Sequence, residues 1–375
     1  MLLKNCTFYN EFFEKEFGDI KIENGVISQI GIFPESGIDM SGAVILPGFV
    51  DIHIHGAAGG DVNDADSASL EKMSRFLAKN GVTSFCPTTM TDSVDSLCKI
   101  ARTVADAKVS GAKIKGINFE GPFISKERCG SQKAEHITEG SIETFERLYS
   151  ASQGLMKLIT IAPEAFYSNG FIGYCAEKCT VSIGHTNASA KACKAAFDNG
   201  AAHVTHLYNA MTPLTSREAG AVGTALDSNA TCELICDGVH ICPEVLRNTF
   251  KILGDTRGVV VSDSMRAAGL GLGEFSFGGH SVYVKEGDGV ARLEDGTIAA
   301  SVTNLFEEFK KLLTFGIDFK TALKSCTINP ATVIGEEESI GSIAVGKAAD
   351  LTVTDKNINI KEVYINGTRF EYSSH

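Results

Sequence analysis

The sequence predicts a (β/α)8 barrel of the TIM type, with a small β-sandwich domain formed by both chain termini. Three observations lead there. Short apolar, β-branched runs alternate with amphipathic helical stretches eight times through the middle of the chain. Both ends read instead as strands and tight turns. The polar residues that stand out fall at the C-terminal ends of the predicted barrel strands, the face on which barrel enzymes carry their chemistry.

In chain order, residues 2–8 form a candidate strand, and residues 20–30 read as a hairpin about the two-residue turn Asn24-Gly25. The predicted barrel strands cover 44–55, 82–86, 114–119, 158–162, 181–184, 203–207, 233–236 and 259–261. Helical patterns cover 68–80, 93–110, 189–199 and 243–253 between them, and Gly81, Gly111 and Gly200 follow three of these as terminators. A glycine-rich stretch at 269–296 reads as a β-hairpin insertion near the barrel mouth. Strand-and-turn texture returns at 341–343, 349–353 and 361–367. These readings divide the chain into a terminal domain, 1–43 with 344–375, and a catalytic barrel, 44–343.

Bulk properties narrow the partners. A formal charge of −12 over 375 residues argues against nucleic acid or an anionic membrane, and an anionic substrate would have to be held by a few local cations. No apolar run reaches membrane length. The 11 cysteines show no disulfide-framework spacing, which suits buried thiols in a reducing cytoplasm.

The chemistry is concentrated at strand ends. His53 and His55 close the first barrel strand in Pro47-Gly48-Phe49-Val50-Asp51-Ile52-His53-Ile54-His55. Residues i and i+2 of a strand share a face, so both imidazoles can reach one ion. Glu120 ends strand 3, His185 strand 5, His206 strand 6 and Asp263 strand 8, while Asp237 and His240 follow strand 7. Any one of them alone has a bland reading as a helix cap or a hydrogen-bonded core residue. Four histidines and two acids gathered on one barrel face point to a metal-dependent hydrolase. Metal coordination lowers the pKa of bound water towards ~7 and so supplies hydroxide, and a carboxylate such as Asp263 can take and return the proton.

The motifs Glu120-Gly121-Pro122-Phe123, Gly184-His185-Thr186-Asn187-Ala188, His206-Leu207-Tyr208-Asn209-Ala210-Met211, Asp237-Gly238-Val239-His240 and Ser262-Asp263-Ser264-Met265-Arg266 resemble the N-acetylglucosamine-6-phosphate deacetylase family of the amidohydrolase superfamily. The resemblance spans nearly the whole chain and closes with Gly346-Lys347-Ala348-Ala349-Asp350-Leu351. It implies hydrolysis of the acetamide of N-acetyl-D-glucosamine 6-phosphate, by metal-activated hydroxide with Asp263 as general acid/base. It further implies that Glu120, His185 and His206 hold the principal metal. His53 and His55 match the second-metal ligands of those members that carry both histidines. Asn209, Ala210, Arg217 and His240 match positions that contact sugar and phosphate, and a homodimer is expected. Related enzymes that bridge two metals use a carboxylated lysine on strand 4; this chain has Ile161-Ala162-Pro163-Glu164 there, and Glu120 takes the matching role. The rival within the superfamily is a cyclic-amide hydrolase or deaminase.

One position departs from the family pattern. Where many members place a histidine that orients the acetamide carbonyl, this chain has Gln132. Either the Gln132 amide donates to the carbonyl, or a second metal at His53 and His55 polarises it. The expectation is two divalent metals per chain, drawn from Zn, Fe, Co or Mn. The competing reading is one metal, with His53 and His55 as hydrogen-bonding supports.

Overall fold

The computed structural model describes residues 1–165 and 170–371. Eight strands, Phe49–Ile54, Val82–Thr89, Ile117–Phe119, Met156–Ile161, Thr180–Ile183, His203–Val204, Thr231–Leu234 and Gly258–Val260, pair in parallel in sequence order. The ring closes where the Asp263 amide donates to the His53 carbonyl at 2.9 Å. Helices cover the outside, so the strands are buried on both faces and read as nearly continuous apolar runs. The helices start where the sequence supplies a side-chain acceptor. Asp66, Ser93, Ser141, Ser189, Asn304 and Asp318 each accept from a backbone N–H of the first turn. Pro243 opens the helix Pro243–Leu253, where its missing N–H costs nothing. The cores of helix and strand meet in aromatic contacts such as Phe49 against Phe306 and Phe309.

Both termini contribute to one further sheet of eight strands. Its buried residues, among them Phe8, Ile20, Ile45, Leu351, Val353 and Tyr364, form an apolar cluster of their own. The Asn24-Gly25 turn is as expected, with both residues at positive φ (52° and 82°), as a two-residue hairpin turn requires. Two sequence readings are corrected. Residues 44–47, taken as the start of the first barrel strand, instead pair with Leu2–Tyr9 and Leu351–Thr354 in the terminal sheet. A single apolar run thus serves two sheets in succession, which periodicity cannot resolve because the run is buried from Ile45 onward. The insertion after strand 8 is a four-stranded antiparallel sheet (Gly273–Phe277, His280–Val284, Val290–Arg292 and Ile298–Ser301) rather than one hairpin. Its strands are only three to five residues long, too short for an alternation to show in sequence.

The change of sheet occurs at Gly48, whose amide donates to the Asp350 carbonyl at 2.8 Å. A Cβ placed there would lie 2.1 Å from Thr83 Oγ1 and 2.8 Å from Thr83 Cβ. Gly48→Ala should therefore lower unfolding stability by about 1–3 kcal/mol through overpacking. Denaturant unfolding of the purified variant measures it; an unchanged midpoint would contradict the close approach.

Candidate active site

His53 and His55 are fully buried at the end of the first barrel strand, where an irregularity in the pairing between Asp51 and Ile54 lets both rings turn inward. His185, His206 and Asp263 follow strands 5, 6 and 8 with φ of 44°, 28° and 44°. Left-handed backbone is uncommon outside glycine. Here it turns the chain at the strand ends that carry these three side chains over the barrel mouth.

Three of the four imidazoles are oriented by what their Nδ1 atoms touch, while His206 Nδ1 is buried without a hydrogen-bond partner among the described residues. His55 Nδ1 lies 3.1 Å from the Thr88 carbonyl and His185 Nδ1 2.8 Å from the Arg128 carbonyl. A carbonyl only accepts, so both Nδ1 atoms donate and, in the neutral rings, both Nε2 atoms carry lone pairs. His53 Nδ1 donates to the buried Glu233 carboxylate at 2.8 Å. The four Nε2 atoms then converge on Glu120. His185 and His206 lie 3.1 and 2.9 Å from Oε1, His53 3.5 Å from Oε1, and His55 3.3 Å from Oε2. Nε2–Nε2 separations are 3.0 Å for His185 and His206 and 3.3 Å for His53 and His55. Asp263 Oδ1 sits 3.2 Å from His55 Nε2.

Facing lone pairs at such separations repel unless a cation stands among them. Burial works against a protonated His53 or His55. The carboxylates around them outweigh it, Glu233, Asp263 and Glu120 for His53 and Asp263 and Glu120 for His55, and hold their pKa values up at about 9 and about 10. The pocket is thus built to stabilise positive charge. Two ligand trios are present, His53–His55–Glu120 and Glu120–His185–His206, each with its donor atoms within 4.8 Å of one another. Imidazole nitrogen and carboxylate oxygen suit a divalent transition ion, and fixed Nδ1–H donors are the usual support for such ligands.

The cluster forms part of the lining of a 310 Å³ cavity that also includes Gln132, Asn209, Ala210 and His240. His240 Nδ1 is 2.6 Å from Asp237 Oδ2, which fixes the ring. Gln132 lines the cavity with its amide already engaged by protein groups. Its Nε2 donates to Glu120 Oε2 and its Oε1 accepts from the Thr91 amide at 2.5 Å, so it props the shared carboxylate. Arg217 lies exposed on the 212–219 loop and is not among the residues lining this cavity in the single chain. At the end of strand 4, Glu164 accepts from the Asn187 amide at 2.8 Å and offers no substitute for a bridging lysine.

Two residues escaped the sequence reading. Glu233 accepts from His53 Nδ1, from the His206 amide at 3.0 Å and faces His203 Nε2 at 3.2 Å. A glutamate inside a buried strand was the available signal, since such a charge must be paired. Arg128 lines the cavity and orients His185 through its carbonyl, a backbone role that its side chain could not announce.

A parallel barrel with imidazoles and carboxylates gathered at its C-terminal mouth defines a metal-dependent hydrolase. The amidohydrolase family pattern matches residues 44–370. The N-acetylglucosamine-6-phosphate deacetylase of Bacillus subtilis is 34% identical over 96% of this chain and 94% of its own length, and that of Haemophilus influenzae 35% identical over 97% and 98%. The crystal structure of N-acetylglucosamine-6-phosphate deacetylase from Pasteurella multocida superimposes with a TM-score of 0.92 at 30% identity, covering 99% of both chains. The chain belongs to the amidohydrolase family and, within it, to the N-acetylglucosamine-6-phosphate deacetylases.

Glu233→Gln replaces the acceptor of His53 Nδ1–H with an ambiguous amide. Affinity for a metal at the His53–His55 pair should fall by about 10–100-fold. Competition with a chromophoric chelator measures it, and unchanged affinity would mean Glu233 has no part in holding the ligand.

Proposed function

We propose that this chain hydrolyses N-acetyl-D-glucosamine 6-phosphate to glucosamine 6-phosphate and acetate. The observation that carries the reading is the Glu120 carboxylate standing between two histidine pairs, in the bridging role that a carboxylated lysine on strand 4 takes in cyclic-amide hydrolases. The names of the relatives agree with it. Divalent ions held by Glu120 and the four histidines would supply Lewis acidity there for the water and the acetamide carbonyl.

The chain's own groups do the rest. Asp263 Oδ1, at the edge of the cluster, accepts the proton of the attacking water and delivers it to the amine nitrogen as the C–N bond breaks. His240, held by Asp237, offers its Nε2 to the phosphate, and Asn209 with Ala210 flanks the sugar. Arg128 is the arginine within the lining, and it replaces Arg217 in this reading as the cation nearest the substrate. Two ions per chain are proposed, one at Glu120–His185–His206 and one at Glu120–His53–His55. Zn, Fe, Co and Mn all suit these ligands. The reading also includes a cytoplasmic homodimer. The 11 cysteines are all unbridged, which supports a reducing compartment. No described helix is long and apolar enough to cross a membrane.

Release of acetate from N-acetylglucosamine 6-phosphate by the metal-loaded protein tests the function; activity on a cyclic amide alone would overturn it. Asp263→Asn should keep the fold and the metal but lower kcat by about 10²–10⁴-fold. A near-normal kcat would remove Asp263 from the reaction. His53→Gln with His55→Asn should reduce metal content from two ions to one per chain, read by elemental analysis. Retention of two ions would place the second elsewhere.

A further inference from the structure

One wall of the cavity is apolar and closed. Met90 and Phe277 line it, both 2% exposed, and the Phe277 ring meets His55 edge-on with centroids 5.3 Å apart. Behind them lie Met265 and Val282, fully buried in the same apolar cluster, so the wall has little room to retreat. The wall is also fixed from the side. Phe277 precedes the turn Gly278-Gly279, both at positive φ (56° and 84°). A Cβ on Gly278 would lie 2.9 Å from Met90 Cε and 2.9 Å from the Ser131 carbonyl oxygen, so the turn is pressed onto the segment that carries Gln132.

Resting on the proposed deacetylation, the position of this wall has a consequence for the substrate. The acetamide carbonyl has to reach the His–Glu cluster, and the only group bonded to that carbonyl carbon besides nitrogen and oxygen is the methyl. Everything else on the substrate is ring, hydroxyl or phosphate, for which the lining offers Asn209, Arg128 and His240. The one apolar substituent beside the reacting carbon thus matches the apolar surface that abuts His55. We propose that Phe277, with Met90, forms the acyl-binding wall that admits an acetyl group and rejects longer acyl chains. An added methylene would have to displace a buried aromatic ring that is packed from behind.

The test compares kcat/KM for the N-acetyl, N-propionyl and N-butyryl forms of glucosamine 6-phosphate in the metal-loaded unmutated protein and in Phe277→Ala, with metal content measured on each sample. The expected result is a rise of about tenfold or more in the propionyl-to-acetyl ratio, the usual worth of one methylene in a pocket, with metal content unchanged. Met90→Ala, which opens the same wall from the other side, should raise the ratio in the same direction and stands in if Phe277→Ala does not fold. A purely structural role would lower all three substrates in parallel and leave the ratio fixed; that result overturns the proposal. If the unmutated protein hydrolyses none of the three, the proposed deacetylation fails and the acyl wall with it. Acetyl hydrolysis with an unmoved ratio in the folded variants rejects the wall alone.

Discussion

Four imidazole Nε2 atoms and the carboxylates of Glu120 and Asp263 meet at hydrogen-bonding separations in a place that water barely reaches. With neutral rings, Glu120, Asp263 and Glu233 leave a buried excess of negative charge and several lone pairs facing one another. Such an arrangement is costly in a low-dielectric interior unless positive charge completes it. The surrounding structure serves that condition. Backbone carbonyls at Thr88 and Arg128 fix two tautomers, and Glu233 links the first, sixth and seventh strands through His53, the His206 amide and His203.

The fold explains how side chains so distant in sequence come together. Each sits where a short strand stops, and strand pairing sets its height in the barrel. The first strand bears two of the clustered histidines and is anchored at both ends. The segment before it belongs to the terminal sheet, and its last residues close the ring through His53 and Asp263. The terminal domain is therefore more than an appendage, since it sets the register from which His53 and His55 project. On the other side, the insertion sheet presses on the loop of Gln132, which in turn holds Glu120. Parts of the chain remote from the histidine–glutamate cluster reach it through one intermediate residue each.

Much of this could be read before any coordinates. The βα alternation, the terminal strands and the Asn24-Gly25 turn carry strong local signals, because periodicity and turn chemistry are written in neighbouring residues. The strand-end histidines and acids were legible for the same reason, their identity and place in an apolar run being local facts. What stayed hidden depends on contacts across the fold. Residues 45–54 form one buried run, so their division between two sheets leaves no trace in the pattern. Gln132 reads as a free amide until its two ends are seen to be taken by Glu120 and Thr91. Arg217 has the right chemistry for phosphate but sits on a loop whose path sequence does not specify, while Arg128 reads as one charge in an exposed Lys-Glu-Arg turn.

Glu120 stands between the two histidine pairs, and the proposal that follows is a divalent ion at each pair. Anomalous X-ray scattering from crystals of the metal-loaded protein tests it most directly. The expected result is two peaks per chain, one beside His185 and His206 and one beside His53 and His55. A single peak at His185 and His206, with His53 and His55 joined only to protein groups, would contradict it.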